Sequence, residues 1–252
     1  MQRNRTAWEI TIVLLLSYGM SAIYSIVNVF ERLNQPVPLA EQTATLNGSF
    51  AAQEFFDLTY QLLGIASGLA PVLLVLWLVS SEKGSGFESI GLATASKKEV
   101  VRNLGSGFLI ATLIGIPGIG VYLAGRAFGI GVQVIPNSLT EHWWTVPILI
   151  MWALRAGIGE EVIIVGYLFN RLKTIGWSPW AIIIGASVLR GSYHLYQGFG
   201  AFAGNIAMGI VFGLIYQKTG KLLPLISAHT IIDTVAFVGY PLALSLWPAL
   251  FA

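Results

Sequence analysis

The 252-residue chain contains no cysteine, which excludes disulfide frameworks, thiolate metal sites and cysteine nucleophiles together. Charge is nearly as scarce: Asp, Glu, Lys and Arg make up 10% of the residues, and there are three histidines. The net charge is only +2, with the basic residues at helix ends rather than in one patch, so nucleic acid is not a partner to expect. Any metal would have to be held by histidine and carboxylate. What the chain has instead is apolar: it is 55% hydrophobic and 12% aromatic, with 28 glycines and a mean hydropathy of +0.73. That is the composition of a polytopic protein whose surroundings are a lipid bilayer. The expected fold is all-α, a single membrane domain over residues 1–252 built as a bundle of about seven to eight transmembrane helices.

Apolar runs near the length needed to cross a bilayer fall at 8–30, 55–80, 104–128, 143–173, 178–195, 199–216 and 222–239, with a short eighth at 241–252. Arg3 and Arg5 precede the first run, which outlasts a signal-peptide core and lacks a small-residue cleavage site, so it reads as a retained span. With the spans alternating, Arg3, Arg5, Lys83, Lys97, Lys98, Arg102, Arg171, Lys173, Lys218 and Lys221 fall on one side, and Arg32 and Arg126 on the other. The positive-inside rule then puts the N-terminus in the cytoplasm. Outside the spans, 31–53 reads as a polar outer loop with Pro36 and Pro38 and no assigned function; its Asn47-Gly48-Ser49 sequon is a match common by chance. The stretch 81–103 reads as an interfacial segment followed by a helix start, capped by Ser96 with Glu99 three residues on. Gly200 with Gly204, and Gly209 with Gly213, have the four-residue spacing of close helix packing.

Against this background, seven polar or ionisable residues inside apolar runs stand out: Arg155, Glu160, Glu161, Arg190, His194, His229 and Asp233. An ionised group in hydrocarbon is expensive, so these are the candidates for a working site. His229 and Asp233 are four apart, as are Arg190 and His194, so each pair stacks on one helical face. Glu160 and Glu161 are adjacent, about 100° apart on a helix, so one aims at a site while the other meets a neighbouring helix. Side by side in a low dielectric they repel, and a cation or metal must compensate. At 1.5 Å per residue, Glu160 lies roughly 20 Å from Lys173, Arg190 and His194 roughly 18 and 24 Å from Ser178, and Asp233 and His229 roughly 16 and 10 Å from Leu222. These depths allow convergence in one layer. Arg155, at roughly 27 Å on the same scale, fits that layer least. A carboxylate and a histidine around a water are the ingredients of hydrolysis, with a further His or a cation for the oxyanion. The same groups could hold a divalent metal such as zinc, with Glu160, His194 and His229 as ligands.

In order and spacing these residues resemble the CAAX protease and bacteriocin-processing family of intramembrane endopeptidases, related to the CAAX prenyl endopeptidases. The family pattern is EExxxR, then FxxxH, then HxxxN or HxxxD. Glu160-Glu161 matches the acids of the first motif, His194 the second, and His229 with Asp233 the third, within a catalytic core over 143–239. Two positions depart: Val165 stands where the family arginine would fall, and Arg190 where its phenylalanine would fall. Arg190 is therefore expected to be the relocated counter-cation of the glutamates. The resemblance implies an intramembrane peptidase, metallo- or glutamate-type, acting on membrane-associated peptides or proteins. In it Glu160 and His194 activate water, His229 and Asp233 polarise the scissile carbonyl, and Glu161 supports them. It further suggests a bacterial plasma membrane as the location. Two other readings use the same residues: a small proton-coupled transporter, for which no inverted repeat is visible, and a non-catalytic relative serving as scaffold or immunity protein.

Overall fold

The computed structural model describes residues 2–80, 86–93 and 96–246. The chain is a helical bundle of α1 (Gln2–Leu15), α2 (Tyr18–Leu33), α3 (Glu54–Ser80), the single turn α4 (Gly86–Ser89), α5 (Lys97–Ala127), α6 (Thr145–Glu160), α7 (Leu168–Thr174), α8 (Pro179–His194), α9 (Phe199–Thr219), α10 (Leu223–Thr234) and α11 (Tyr240–Leu246). Among the described residues, four helical runs are long and apolar enough to cross a membrane: Glu54–Ser80, Lys97–Ala127, Phe199–Thr219 and Leu223–Leu242. The bent pair α1 and α2, at 54°, makes a fifth if counted as one span. This is an integral membrane helical bundle. The count is lower than the seven to eight expected, because α8 has only 16 residues and the run through α6 carries Arg155, Glu160 and Glu161.

Three of the expected spans are not plain α-helices. The first breaks at Leu16-Ser17. The fourth continues from α6 to α7 through a π-helical segment, Glu161–Tyr167, and a second such segment, Val235–Gly239, joins α10 to α11. Residues 241–246 therefore prolong the last helix instead of starting an eighth span; 247–252 lie outside the described residues, as do 81–85, with Lys83, and 94–95 of the expected interfacial segment. The helix start behind it forms as read, Ser96 Oγ accepting from the Glu99 amide at 3.2 Å.

The fold is not purely α. β1 (Thr43–Asn47) and β2 (Gln133–Asn137) pair in parallel, Thr43 opposite Gln133 and Asn47 opposite Asn137. Neither strand could be read locally, since a parallel pair joins segments distant in sequence. The two basic residues assigned to the outer side hold this cap. Arg32 donates to the Thr43 carbonyl at 3.1 Å, and Arg126 donates to the Ala40 carbonyl. Asn47 is buried and donates to the Pro136 carbonyl at 2.9 Å, so the sequon is not presented to solvent.

What positions the site is the packing of α10 against α5 and α6, and of α8 against α9 and α2. Small residues make these contacts close. A Cβ on Gly157 of α6 would lie 3.0 Å from the Ile226 carbonyl of α10, and one on Gly209 of α9 would lie 3.0 Å from Ser187 of α8. The glycines with four-residue spacing thus serve packing. At the other end, Glu9 of α1 accepts from Tyr167 Oη at 2.9 Å and from Arg171 Nε at 2.7 Å, tying the first helix to α7.

Candidate active site

Glu160 closes α6 and Glu161 opens the π-helical segment, and both are buried. They divide between two neighbours, as adjacent positions on a helix must. Glu160 turns to α8: its Oε2 accepts from Tyr193 Oη at 2.6 Å, and its Oε1 lies 3.8 Å from His194 Nε2. Glu161 turns to α10: its Oε1 lies 2.7 Å from His229 Nδ1. Asp233, one turn on, places Oδ2 3.5 Å from His229 Nε2.

Arg190 closes the cluster. It is fully buried, its Nη2 donates to Glu161 Oε1 at 2.5 Å, and its Nε lies 3.8 Å from Glu160 Oε2. One guanidinium therefore faces both carboxylates, and the Phe212 ring packs under it with its centroid 5.4 Å from Cζ. A buried charge persists only when paired and hydrogen-bonded, and this is the arrangement a relocated cation requires. Val165 lies buried in the apolar core instead.

All six residues expected at the site, Glu160, Glu161, Arg190, His194, His229 and Asp233, thus meet on α6, α8, α10 and the π-helical segment. Arg155 does not join them; it packs over the Trp152 ring beside α3. The ligand set Glu160, His194 and His229 is not assembled, because His229 turns to Glu161 and Arg190 stands among the acids. Among the described residues no group of three His, Asp or Glu side chains is disposed to hold a metal ion.

Sequence reasoning missed Tyr193, which fixes Glu160, and Tyr18 of α2, whose ring lies 4.9 Å from that of Tyr193. It also missed Gln197, whose Nε2 is 3.3 Å from His194 Nδ1. A signal was available: residues 190, 193, 194 and 197 follow the spacing of one helical face. Just beyond, Gly198 ends the turn at φ +94°, a value L side chains rarely adopt, and abuts Gly131, which fixes where α9 starts.

A helical membrane bundle enclosing buried carboxylates, histidines and a shared arginine defines the class: an integral membrane protein with a built polar centre. Residues 142–235, a little over a third of the chain, match the family model described as Rce1-like, type II CAAX prenyl endopeptidase. The match covers Glu160 through Asp233, so the segment that carries the three motifs is the segment similar to this family. No curated protein and no solved structure gives a match.

Proposed function

We propose that the protein is an intramembrane endopeptidase that hydrolyses peptide bonds of membrane-associated substrates with a water activated by Glu160 and His194. The observation that carries this reading is the Glu160–His194 separation of 3.8 Å, too long for a direct hydrogen bond and short enough for both groups to reach one water. The family match supports it.

The roles follow from who already holds whom. Tyr193 occupies Glu160 Oε2, so Oε1 is the oxygen left to take the water proton. The Gln197 amide donates to His194 Nδ1, which assigns the ring proton to Nε2, aimed at the water oxygen. As the hydroxide attacks the scissile carbonyl, negative charge develops on its oxygen. His229, held through Nδ1–H by Glu161, would donate Nε2–H to that oxyanion as an imidazolium, with Asp233 beside it as orienting partner. Glu160 then returns its proton to the leaving amine. Arg190 touches both glutamates and acts by positioning them. Every step uses groups of this chain, a glutamate-type mechanism. In the membrane, the N-terminus faces the cytoplasm.

Two expected outcomes test the supporting roles. Tyr193→Phe removes one hydrogen bond to a carboxylate and should lower kcat about tenfold while leaving KM near the wild-type value; a pure rise in KM would show that Tyr193 contacts substrate instead. Asp233→Asn should keep most of the activity, since the amide fills the same space and keeps an oxygen about as close to the His229 ring as the 3.5 Å carboxylate, whereas Asp233→Ala should lose it. Equal losses in both variants would mean that the negative charge itself is needed. The reading as a whole is tested by cleavage of a transmembrane peptide library by purified protein. No cleavage of any member, from folded wild type, would favour the non-catalytic or transporter alternative.

A further inference from the structure

The β1–β2 cap has no part in the proposed chemistry, yet its hydrogen bonds end beside the helices that carry the two site histidines. Val132, just ahead of β2, donates its N–H to the Gln197 carbonyl at 3.4 Å, and the Phe199 N–H donates to the Ile130 carbonyl at 2.8 Å. Between these two bonds Gly131 and Gly198 form an antiparallel bridge. The turn 195–197, which follows His194 directly, is thereby stitched to the cap. At its far end β2 meets the π-helical segment behind α10, where Asn137 Nδ2 donates to the Phe237 carbonyl at 2.9 Å, four residues past Asp233. A site side chain is only as well placed as the residues that hold it.

Within that turn one side chain passes the constraint on to His194. Tyr196 is fixed through its backbone and its ring: its N–H donates to Ser25 Oγ of α2 at 2.7 Å, and the ring packs on the buried cluster of Leu39, Ala44 and Val132 under the cap. Its Oη accepts from Gln197 Nε2 at 3.0 Å, and the same nitrogen lies 3.3 Å from His194 Nδ1. An amide nitrogen has two protons, so one goes to each partner. A glutamine held at one point only keeps much of its rotamer freedom. Without Tyr196 the amide can turn its oxygen to Nδ1 instead, which draws the ring proton there and leaves Nε2 bare. The two orientations of one amide thus correspond to the two tautomers of His194.

We propose that Tyr196 is a positioning residue that keeps the Gln197 amide nitrogen on His194, so that the cap fixes which ring nitrogen of His194 presents a proton to the water. Its kinetic consequence rests on the peptidase reading. The full chain in detergent micelles is assayed on a transmembrane library peptide that wild type cleaves. Gln197→Ala should lower kcat roughly tenfold with KM unchanged, Tyr196→Phe should lower it roughly threefold, and the double variant should be no slower than Gln197→Ala alone. Phenylalanine fills the tyrosine's place among Leu39, Ala44 and Val132, so Tyr196→Phe should fold and melt as the wild type does. Losses that multiply would mean that the Tyr196 hydroxyl acts on the reaction by itself, and a change confined to KM that it contacts substrate; either overturns the proposal. A second measurement needs no substrate. The chain has three histidines, and nitrogen NMR of isotope-labelled histidine at alkaline pH, with His194→Ala to identify its resonances, reads which ring nitrogen holds the proton. Wild type should show Nε2–H. Gln197→Glu, whose carboxylate can only accept, should show Nδ1–H, and Tyr196→Phe a mixture of the two. Nδ1–H in the wild type, or an unmixed wild-type tautomer in Tyr196→Phe, overturns the proposal whether or not any peptide is cleaved. Tautomers in the expected order from a protein that cleaves nothing would sink the peptidase reading and leave the role of Tyr196 standing.

Discussion

Glu160→Gln should reduce kcat by about 10^2- to 10^4-fold, the span that a positioned general base contributes. The amide has the size of the carboxyl and can still accept from Tyr193 Oη, so the side chain stays in place and only the ability to take a proton is lost. His194→Ala should give a loss of similar order, because His194 faces the same point from 3.8 Å. Both variants should elute as the wild type does and keep its helical circular dichroism, since neither group pairs with Arg190 at the short distance that Glu161 does. A folded variant of either kind with near wild-type turnover of the peptide substrate would remove Glu160 and His194 from the chemistry.

Arg190→Phe carries the largest expected structural effect. The substitution installs the residue common in the family at this position, yet it leaves Glu160 and Glu161 buried without the cation both now face. Breaking a buried pair by deleting one partner costs about 3–5 kcal/mol, a large fraction of the stability of an ordinary domain. The melting temperature in detergent should fall by many degrees, and activity should vanish. Arg190→Lys keeps the charge but not the two-sided fork, so it should recover stability more than turnover. Adding Val165→Arg to Arg190→Phe should regain part of the lost stability, as relocation of one cation between two helices requires. A double variant no more stable than Arg190→Phe alone would refute relocation, and a harmless Arg190→Phe would show that the carboxylates need no such partner.

Much of this centre was readable because charge in an apolar run is so improbable that position alone marks it. Glu160, Glu161, Arg190, His194, His229 and Asp233 could be gathered by rise per residue and by facing, both local properties of a helix. The tyrosines could not, since Tyr18 and Tyr193 are unremarkable aromatics until α2 and α8 are packed together. The helix break at Leu16-Ser17 and the π-helical segments were invisible for a related reason. Hydropathy reports how apolar a stretch is, not how its hydrogen bonds are threaded, and the sequence 161–167 reads as an ordinary apolar turn of helix. The pairing of β1 with β2 depends on partners some 90 residues apart, Thr43 with Gln133, which no window of sequence contains. Arg155 was placed on one axis only; its neighbours on α3 are set by Gly68, whose meaning appears only once the helices touch.

The π-helical segment between α6 and α7 has one more consequence, concerning phase. A helix is a rigid gear: turning one end turns the other by the same angle. Here one end must present Glu160 and Glu161 to α8 and α10, and the other must present Tyr167 and Arg171 to Glu9 of α1. The wider turns of Glu161–Tyr167 absorb residues without advancing the helix as an α-helix would. The two ends can thus each be in register with their own partners, and the anchor to α1 imposes no rotation on the carboxylates.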